Sequence, residues 1–380
     1  MHYATTRIIR NLICVIIPIL GCLNASGQTL SFPESWREQW YNVSPLFQQD
    51  TIEICILGDI MMHGKQIENT KRTGDEHDFS SFFSLIEDEI KGADLAVANM
   101  EFTLGGKPYT GYPSFSAPDG FEEYLADCGF DVFLAANNHI FDKGAAGAER
   151  TLRKYRSLQE SRRIWFTGLA GSEEEMARTT PLFIRLKGLS IALINFTYGT
   201  NQSCGKDWPR TNYTQNSELL STAFDKASDA DYTIVFPHWG AEYVLRHSKS
   251  QEKLAEWMVE AGADAIIGSH PHVIQDTQEI KGIQIAYSLG NAVSNMSATN
   301  TQLELMATLR IVRGHNGDTR MLPITYTYLW CSLPGGFNDS YTVVPVEEYM
   351  DRSELWHGKW DYEKMVATYN RIKNTNKDND

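Results

Sequence analysis

Across residues 51–318, short apolar or β-branched runs alternate with stretches whose apolar residues recur at helical spacing. That alternation predicts a layered α/β domain. The first run, 52–57, predicts a strand ending at Gly58-Asp59, with His63 and Gly64 just beyond, and helical spacing then covers about 79–91. The run 95–98 predicts a second strand ending at Asn99-Met100-Glu101, and 131–136 a third ending at Asn137-Asn138-His139, with Asp142 and Gly144 following. Between these two strands the Gly- and Pro-rich stretch 105–118 reads as a loop and 120–128 as a helix; a further helix is expected at 147–159. Strand-like pieces come next near 165–167, 182–186 and 190–196, the last opening into a polar loop that reaches about 215. A helix at 217–227 precedes the run 232–236, which ends at Pro237-His238-Trp239-Gly240 with Glu242 close behind. A helix at 251–261 leads to 265–267 and the segment Gly268-Ser269-His270-Pro271-His272. The run 285–288 ends at Gly290-Asn291, 304–312 and 321–328 read as antiparallel strands, and 347–372 as mainly helical without evident chemistry. The tail 373–380 is polar and expected to fray. No internal repeat is present.

Five of these runs end on oxygen or imidazole donors: Asp59; Asn99 with Glu101; Asn138 with His139; His238; and His270 with His272. Ligand crevices of α/β sheets form at the carboxyl ends of strands, so clusters far apart in sequence can meet there. Singly, each has a plain structural reading: Asp59 as a turn or helix-capping residue, Asn138 as a cap, His238 as a hydrogen-bonded strand-end histidine, His139 as a ring packed in its turn. Jointly, five strand ends supplying such donors and none supplying thiolate predict a metal centre. Carboxylate, amide and imidazole ligands suit Mn, Fe, Zn or Mg, and the lack of cysteine disfavours structural zinc and copper thiolate sites. A carboxylate set between two divalent ions would bridge them, lowering the pKa of a water and neutralising an anionic transition state. His139 is the candidate general acid, with Asp142 as its orienting partner. Asn99, His63 and Glu242 are assigned to substrate binding. His270 and His272 alternate along the chain and would face opposite ways in an extended strand, so Pro271 is expected to bend it. Ser269 beside His270 raises the idea of a serine hydrolase, but no G-x-S-x-G elbow surrounds it.

Composition adds a compartment and a charge problem. With 380 residues and 42% hydrophobic content the chain can build a sizeable core. Arg7 and Arg10 precede an apolar run at 12–23 that is short for a membrane span, which predicts an export signal at 1–27. Cleavage after Ala25-Ser26-Gly27, a lipoprotein-type site at Cys22 and an uncleaved anchor all remain open at this point. The destination is the periplasm, the exterior or the cell envelope. The domain itself is placed at 50–330 and a helical extension at 331–380. The full chain carries −14; residues 1–27 hold two basic and no acidic groups, so the remainder stands at −16. That excludes a phosphate-tracking nucleic-acid binder and requires local cations for any anionic substrate. Cys55 and Cys128 fall on a predicted strand and helix; Cys204 and Cys331 fall in predicted loops where they would be free to pair after export.

At these residues the chain resembles the CapA family, the poly-γ-glutamate capsule synthesis proteins, whose domain is similar to the calcineurin-like metallophosphoesterases. The resemblance covers about 52–293. It rests on seven ordered motifs: Gly58-Asp59-Ile60-Met61, Asn99-Met100-Glu101-Phe102-Thr103-Leu104, Asn137-Asn138-His139-Ile140-Phe141-Asp142-Lys143-Gly144, Tyr198-Gly199-Thr200-Asn201, His238-Trp239-Gly240-Ala241-Glu242-Tyr243, His270-Pro271-His272-Val273-Ile274-Gln275 and Tyr287-Ser288-Leu289-Gly290-Asn291. It implies an α/β/β/α sandwich with a two-metal centre. Asp59, Glu101, Asn138, His238, His270 and His272 would match the ligand positions, Glu101 standing where the phosphoesterases carry a bridging Asp, and His139 would match their catalytic histidine. Two departures matter. Ile60-Met61 follow Asp59 where an Asp-x-His motif is expected, so the first metal would lack one ligand or take His63, and Ala292 stands where the family often has an aromatic. The implied function is an exported hydrolase or transferase acting on a phosphoester or an amide-linked anionic polymer, in association with membrane-bound capsule machinery. The alternative is a non-catalytic accessory protein that binds such a polymer during assembly or export.

Overall fold

The first strand is longer than its apolar run. In a computed structural model, which describes residues 51–377 apart from 163, 206 and 315, β1 spans Thr51–Ile60. The N-terminal export segment lies outside the described residues. β1 carries on past its apolar run because a later segment pairs with its end: Asp59 N donates to Gly290 O at 3.0 Å, Ala292 N to Asp59 O at 3.0 Å and Met61 N to Val293 O at 2.9 Å. Asp59 is thus a residue within a strand, not a turn or cap. Helix α1 (Gly64–Thr70), which the apolar pattern does not announce, follows directly, with His63 N donating to Gln66 Oε1 at 2.8 Å. The helical spacing at 79–91 yields helix only at α2 (Glu87–Gly92). Before it, Phe82 N bonds Phe79 O and Ile86 N bonds Phe83 O, tight turns that press three phenylalanines into the core.

Then come β2 (Leu95–Met100), α3 (Phe121–Asp127), β3 (Val132–Leu134), α4 (Gly144–Arg162), β4 (Trp165–Thr167), β5 (Leu169–Ala170), α5 (Glu173–Thr179), β6 (Leu182–Leu186), β7 (Leu189–Thr197) and β8 (Arg210–Thr211). The chain continues through α6 (Ser217–Ala227), β9 (Tyr232–His238), α7 (Lys249–Glu260), β10 (Ala265–Ile267), β11 (Thr277–Ile280) and β12 (Ile283–Ala286). It ends with β13 (Leu303–Arg313), β14 (Thr319–Met321), β15 (Thr325–Ser332), β16 (Thr342–Pro345), α8 (Val346–Tyr349), a 3₁₀ turn and α9 (Lys359–Lys377). One large sheet has the order β16-β15-β13-β1-β2-β3-β4 with β14 on β13, the second large sheet β11-β12-β10-β9-β7-β6, and β5 and β8 form a small antiparallel pair. β1 to β4 run parallel, as do β7, β9, β10 and β12.

Alternation along the strands explains the layering. Ile52, Ile54 and Ile56 of β1 join a core shared with Ile191 and Leu193 of β7 and Ile234 of β9, so the two sheets lie face to face. Cys55 and Leu57 point the other way, into a core with Phe121 of α3 and Leu152 and Tyr155 of α4. Ala192 and Ile194 of β7 pack instead with Leu220 and Phe224 of α6 and Met258 of α7. Helices therefore cover both outer faces, giving the four-layer α/β/β/α sandwich. Strands buried on both faces read as continuous apolar runs, which is why the pattern found them. Met365, Tyr369 and Ile372 of α9 enter the core between the sheets, and α9 continues through Lys377 where the tail was expected to fray.

The cysteines correct one expectation. Cys331 lies in β15, not a loop, fully buried with Sγ 3.4 Å from Ser294 O, and Cys55, Cys128, Cys204 and Cys331 are all free thiols. Among the described residues no helix is long and apolar enough to cross a membrane.

The junction of the two sheets is testable at Gly58. The register between β1 and β2 slips between Leu57 and Asp59, and Gly58 N turns away to Glu304 Oε1 at 2.6 Å. A Cβ at Gly58 would run into the backbone carbonyl oxygen of Gly290. Gly58→Ala should therefore lower stability in chemical denaturation by about 1–3 kcal/mol, since backbone and not a flexible side chain must yield. An unchanged denaturation midpoint would show that the contact relaxes freely.

Candidate metal centre

The parallel strands of both sheets end on one rim, and the polar residues gather there. Asp59 at the end of β1 sits opposite Asn99 of β2 in the strand register, with Glu101 immediately after β2. Asn138 and His139 follow β3, His238 closes β9, and His270 and His272 follow β10. Asp59, Glu101, Asn138, His238, His270 and His272 are all buried.

Asn99 organises the acids. Its amide nitrogen donates to Asp59 Oδ1 at 2.8 Å and Glu101 Oε2 at 3.3 Å, clasping two buried carboxylates. Asn137 backs it, donating to Met100 O at 2.8 Å. Asn99, assigned to substrate binding, is thus hydrogen-bonded between the two acids. Asp59 Oδ2 lies 3.1 Å from His272 Nδ1 and accepts from His270 N at 3.2 Å. Glu101 Oε1 lies 3.7 Å from His238 Nε2 and 3.6 Å from His272 Nε2, and has no hydrogen-bond partner among the described residues. Asn138 Oδ1 is 2.9 Å from His238 Nε2. His238 Nδ1 is fixed 2.9 Å from Ser269 Oγ, and the tautomer that donates Nδ1–H to Ser269 leaves a lone pair on Nε2. His272 Nδ1 is similarly held 2.9 Å from Asn291 Oδ1.

Both histidines of the His-Pro-His segment reach the cluster, their rings 5.8 Å apart. The bend is not confined to Pro271: His270 (φ 97°) and His272 (φ 58°) both take left-handed backbone. That conformation is unfavourable for residues with a Cβ and concentrates at functional sites. It cancels the alternation that an extended strand would impose. His270 also rests against Tyr198, ring centroids 4.6 Å apart.

Three groups of donors have ligand atoms within 4.8 Å of one another: Asp59, Glu101 and His272; Glu101, His238 and His270; and Glu242, His270 and His272. Two of them share Glu101. Ligand atoms about 2.0–2.2 Å from one ion lie roughly 3 Å or a little more apart, so the Glu101 contacts, too long for good hydrogen bonds, have the spacing of ligands awaiting an ion. The unpartnered buried Glu101 Oε1 and His270 Nδ1 fit the same reading. Electrostatics agree. Burial, and next the Asp59 charge, raise the Glu101 pKa well above the usual carboxylate range. Burial, then neighbouring imidazoles, lower His238 well below the ordinary histidine value and His270 to about 3. The cavity thus holds neutral, lone-pair-bearing imidazoles and a carboxylate pair short of positive charge, the donor set that a dication fits. Glu242, assigned to substrate, belongs geometrically with His270 and His272 on the exposed side.

His139 Nδ1 lies 2.7 Å from Asp142 Oδ2, which also accepts from Phe115 N at 2.7 Å. Asn201 Nδ2 is 3.2 Å from the same ring nitrogen, and Thr103 Oγ1 donates to His139 O at 2.6 Å. His63 is in none of the three donor groups. Its Nδ1 sits 3.2 Å from Gln66 Oε1, and its ring meets Phe115 edge-on at 5.1 Å, while Phe115 meets His139 at 4.6 Å. Burial lowers the His63 pKa to about 4. Phe115 thus stands between His63 and the His139 pair. Ser269, Asn291, Asn201 and Phe115 were not singled out by donor chemistry; the first three lie within or beside the ordered motifs, whereas Phe115 carried no signal.

Residues 53–296 match the family described as bacterial capsule synthesis protein PGA_cap. The chain is similar to the capsule biosynthesis protein CapA of Bacillus anthracis, 27% identical over 307 residues that cover 76% of this chain and 70% of that protein. It is also similar to the PGA biosynthesis protein CapA of Bacillus subtilis strain 168, 27% identical over 290 residues, covering 73% and 72%. Among solved structures, the NAD nucleotidase NadN of Haemophilus influenzae overlaps 86% of this chain, which spans 61% of that one, at 13% identity and a TM-score of 0.38. A 5'-nucleotidase from Candida albicans overlaps 85% of this chain, which spans 58% of that one, at 10% identity and a TM-score of 0.42.

Two measurements probe the centre. His270→Ala and His272→Ala should each lower bound metal per chain in elemental analysis; full stoichiometry in both would refute the donor groups. Glu101→Gln separates charge from packing. With its folded pKa raised, Glu101 destabilises the metal-free protein progressively as pH climbs above the ordinary carboxylate value, and not below it. Metal-free Glu101→Gln should therefore melt a few degrees higher than wild type at neutral pH, converge on it toward pH ~4, and bind metal more weakly. A melting difference independent of pH would contradict the burial of like charge.

Proposed function

The chain belongs to the bacterial capsule synthesis family PGA_cap, and from that membership we propose that it is an exported metal-dependent hydrolase or transferase acting on a phosphoester or amide of an anionic capsule polymer such as poly-γ-glutamate. The observation that carries this reading is Glu101 shared between two donor groups, with the His139–Asp142 pair on the same rim. Asp59, Glu101 and His272 would hold one divalent ion; Glu101, Asn138, His238 and His270 would hold the second. Ions there would supply Lewis-acid charge and a water of lowered pKa, which serves attack on phosphorus or on a carbonyl carbon alike.

The protein's own part is positional. Asn99 holds the two carboxylates in fixed orientation, so neither swings as charge builds. Ser269 and Asn291 fix the rings of His238 and His272. Asp142 holds His139 through Nδ1 and would stabilise its imidazolium, the form whose Nε2–H can give a proton to the leaving atom. The chain acts in the cell envelope or outside it, beside membrane-associated capsule machinery.

A second reading has its own observation. The His63 ring stands apart from the donor groups, so the first group holds three donors without the histidine of an Asp-x-His motif. A centre short of a ligand suits a non-catalytic protein that grips an anionic polymer during assembly or export. Turnover separates the two. Protein loaded with Mn²⁺ is assayed on bis(4-nitrophenyl) phosphate and on γ-linked oligoglutamate. His139→Ala should lower kcat by about 10²–10⁴-fold with metal content unchanged. Loaded wild type without turnover of either substrate would discard the enzyme and leave the binder.

A further inference from the structure

The acidic chain sets a lysine beside its candidate general acid. Thr110, Gly111, Tyr112, Pro113, Ser114 and Lys143 line an open cavity of 390 Å³. Lys143 follows Asp142 directly, and its ammonium donates to Ser114 Oγ at 3.0 Å. Ser114 Oγ in turn donates to Asp142 O at 2.7 Å, and Phe115 N donates to the Asp142 carboxylate. The cavity wall and the His139–Asp142 pair are therefore one hydrogen-bonded unit. Like several other described lysines Lys143 has no carboxylate partner; what sets it apart is its place, hydrogen-bonded through Ser114 to the residue that holds His139.

The lysine is also held in place. A Cβ at Gly105 would strike the Lys143 stem, and one at Gly147 would strike it from another direction, so the stem lies against two residues that leave room for it. A long side chain confined along its stem and tethered at its tip has already lost much of the rotamer entropy that binding would cost. Tyr112, 74% exposed, offers an aromatic face at the same cavity.

We propose that this cavity is a subsite for an oxyanion of the substrate on the leaving-group side, with Lys143 as its charge partner. It rests on the reading of the rim as a site for an anionic polymer and adds where the part beyond the scissile bond lies. A carboxylate and a phosphate share the required chemistry, an anionic oxygen facing an ammonium group.

The test uses full-length protein loaded with Mn²⁺ and two probes, γ-linked triglutamate and a short glycerol phosphate oligomer, with binding followed by calorimetry. Lys143→Met keeps the stem and removes the charge; it should weaken one probe by about tenfold or more, with metal content and melting temperature unchanged. Lys143→Arg should restore part of that affinity, and Ser114→Ala, which frees the ammonium, should weaken the same probe severalfold. The probe that responds names the source, polycarboxylate or polyphosphate. Equal affinities in wild type and Lys143→Met, or no binding of either probe to wild type, overturn the subsite. The parent reading fails on different evidence, namely metal content and turnover: a Lys143 effect without turnover keeps Lys143 as the charge partner of a bound oxyanion and overturns the leaving-group placement.

Discussion

The structure turns on two carboxylates, Asp59 and Glu101, buried side by side at the ends of adjacent strands. Ionising both would set like charges side by side out of water, and burial holds the nearby His238 and His270 rings neutral. The Asn99 amide donates to both acids but brings no charge. Glu101 Oε1 faces His238 and His272 at 3.7 and 3.6 Å and has no hydrogen-bond partner among the described residues. A buried acid in that position costs stability in the metal-free state, a cost that the proposed ions would offset.

Holding that arrangement requires the two sheets to meet at a fixed distance. Asp59 and Glu101 come from one sheet, His238 and His270 from strands of the other. The segment through Gly290 and Val293 ties β1 to the second sheet by backbone hydrogen bonds, and Asn291 on that same segment holds His272. The left-handed backbone at His270 and His272 is a local cost borne where it brings both rings to the acids. The core between the sheets, with its β-branched strands and the end of α9, resists shear at the rim and so preserves spacing among ligands drawn from five strand ends.

Much of this was legible because strands buried on both faces leave long apolar runs, and because each run stops abruptly at the residue that must face the rim. β1, β2, β9 and β10 were read in this way, and with them Asp59, Glu101, His238 and His270. What escaped was set by tertiary packing. The turns at 79–86 carry helical spacing, but the stacking of Phe79, Phe82 and Phe83 on Phe121, Tyr124 and Phe130 decides their path. Cys331 looked like loop because β15 extends past its apolar run to pair with β16. Phe115 sits in a loop without periodicity, so nothing local marks it as the ring between His63 and His139. The reach of Glu242 toward His270 and His272 follows from the turn after β9, where Gly240 and Tyr243 take left-handed backbone that apolar spacing does not announce.

Net charge and local charge act over different ranges, and the acidic composition is compatible with an anionic ligand only for that reason. Exposed charges on the distant surface are screened over about 8–10 Å at ordinary ionic strength. Inside a cleft walled by protein, a cation at short range is felt much more strongly than the same charge in open solvent. A chain of −14 therefore need not carry a basic face to hold a polyanion. Local charge can suffice: the donor groups that share Glu101 have the chemistry to hold a dication, and Lys143 lines the open cavity beside the His139–Asp142 pair. Such a distribution discriminates by geometry. On the proposed reading, a polyanion would gain little from the surface at large and would be held where its anionic groups meet fixed cations.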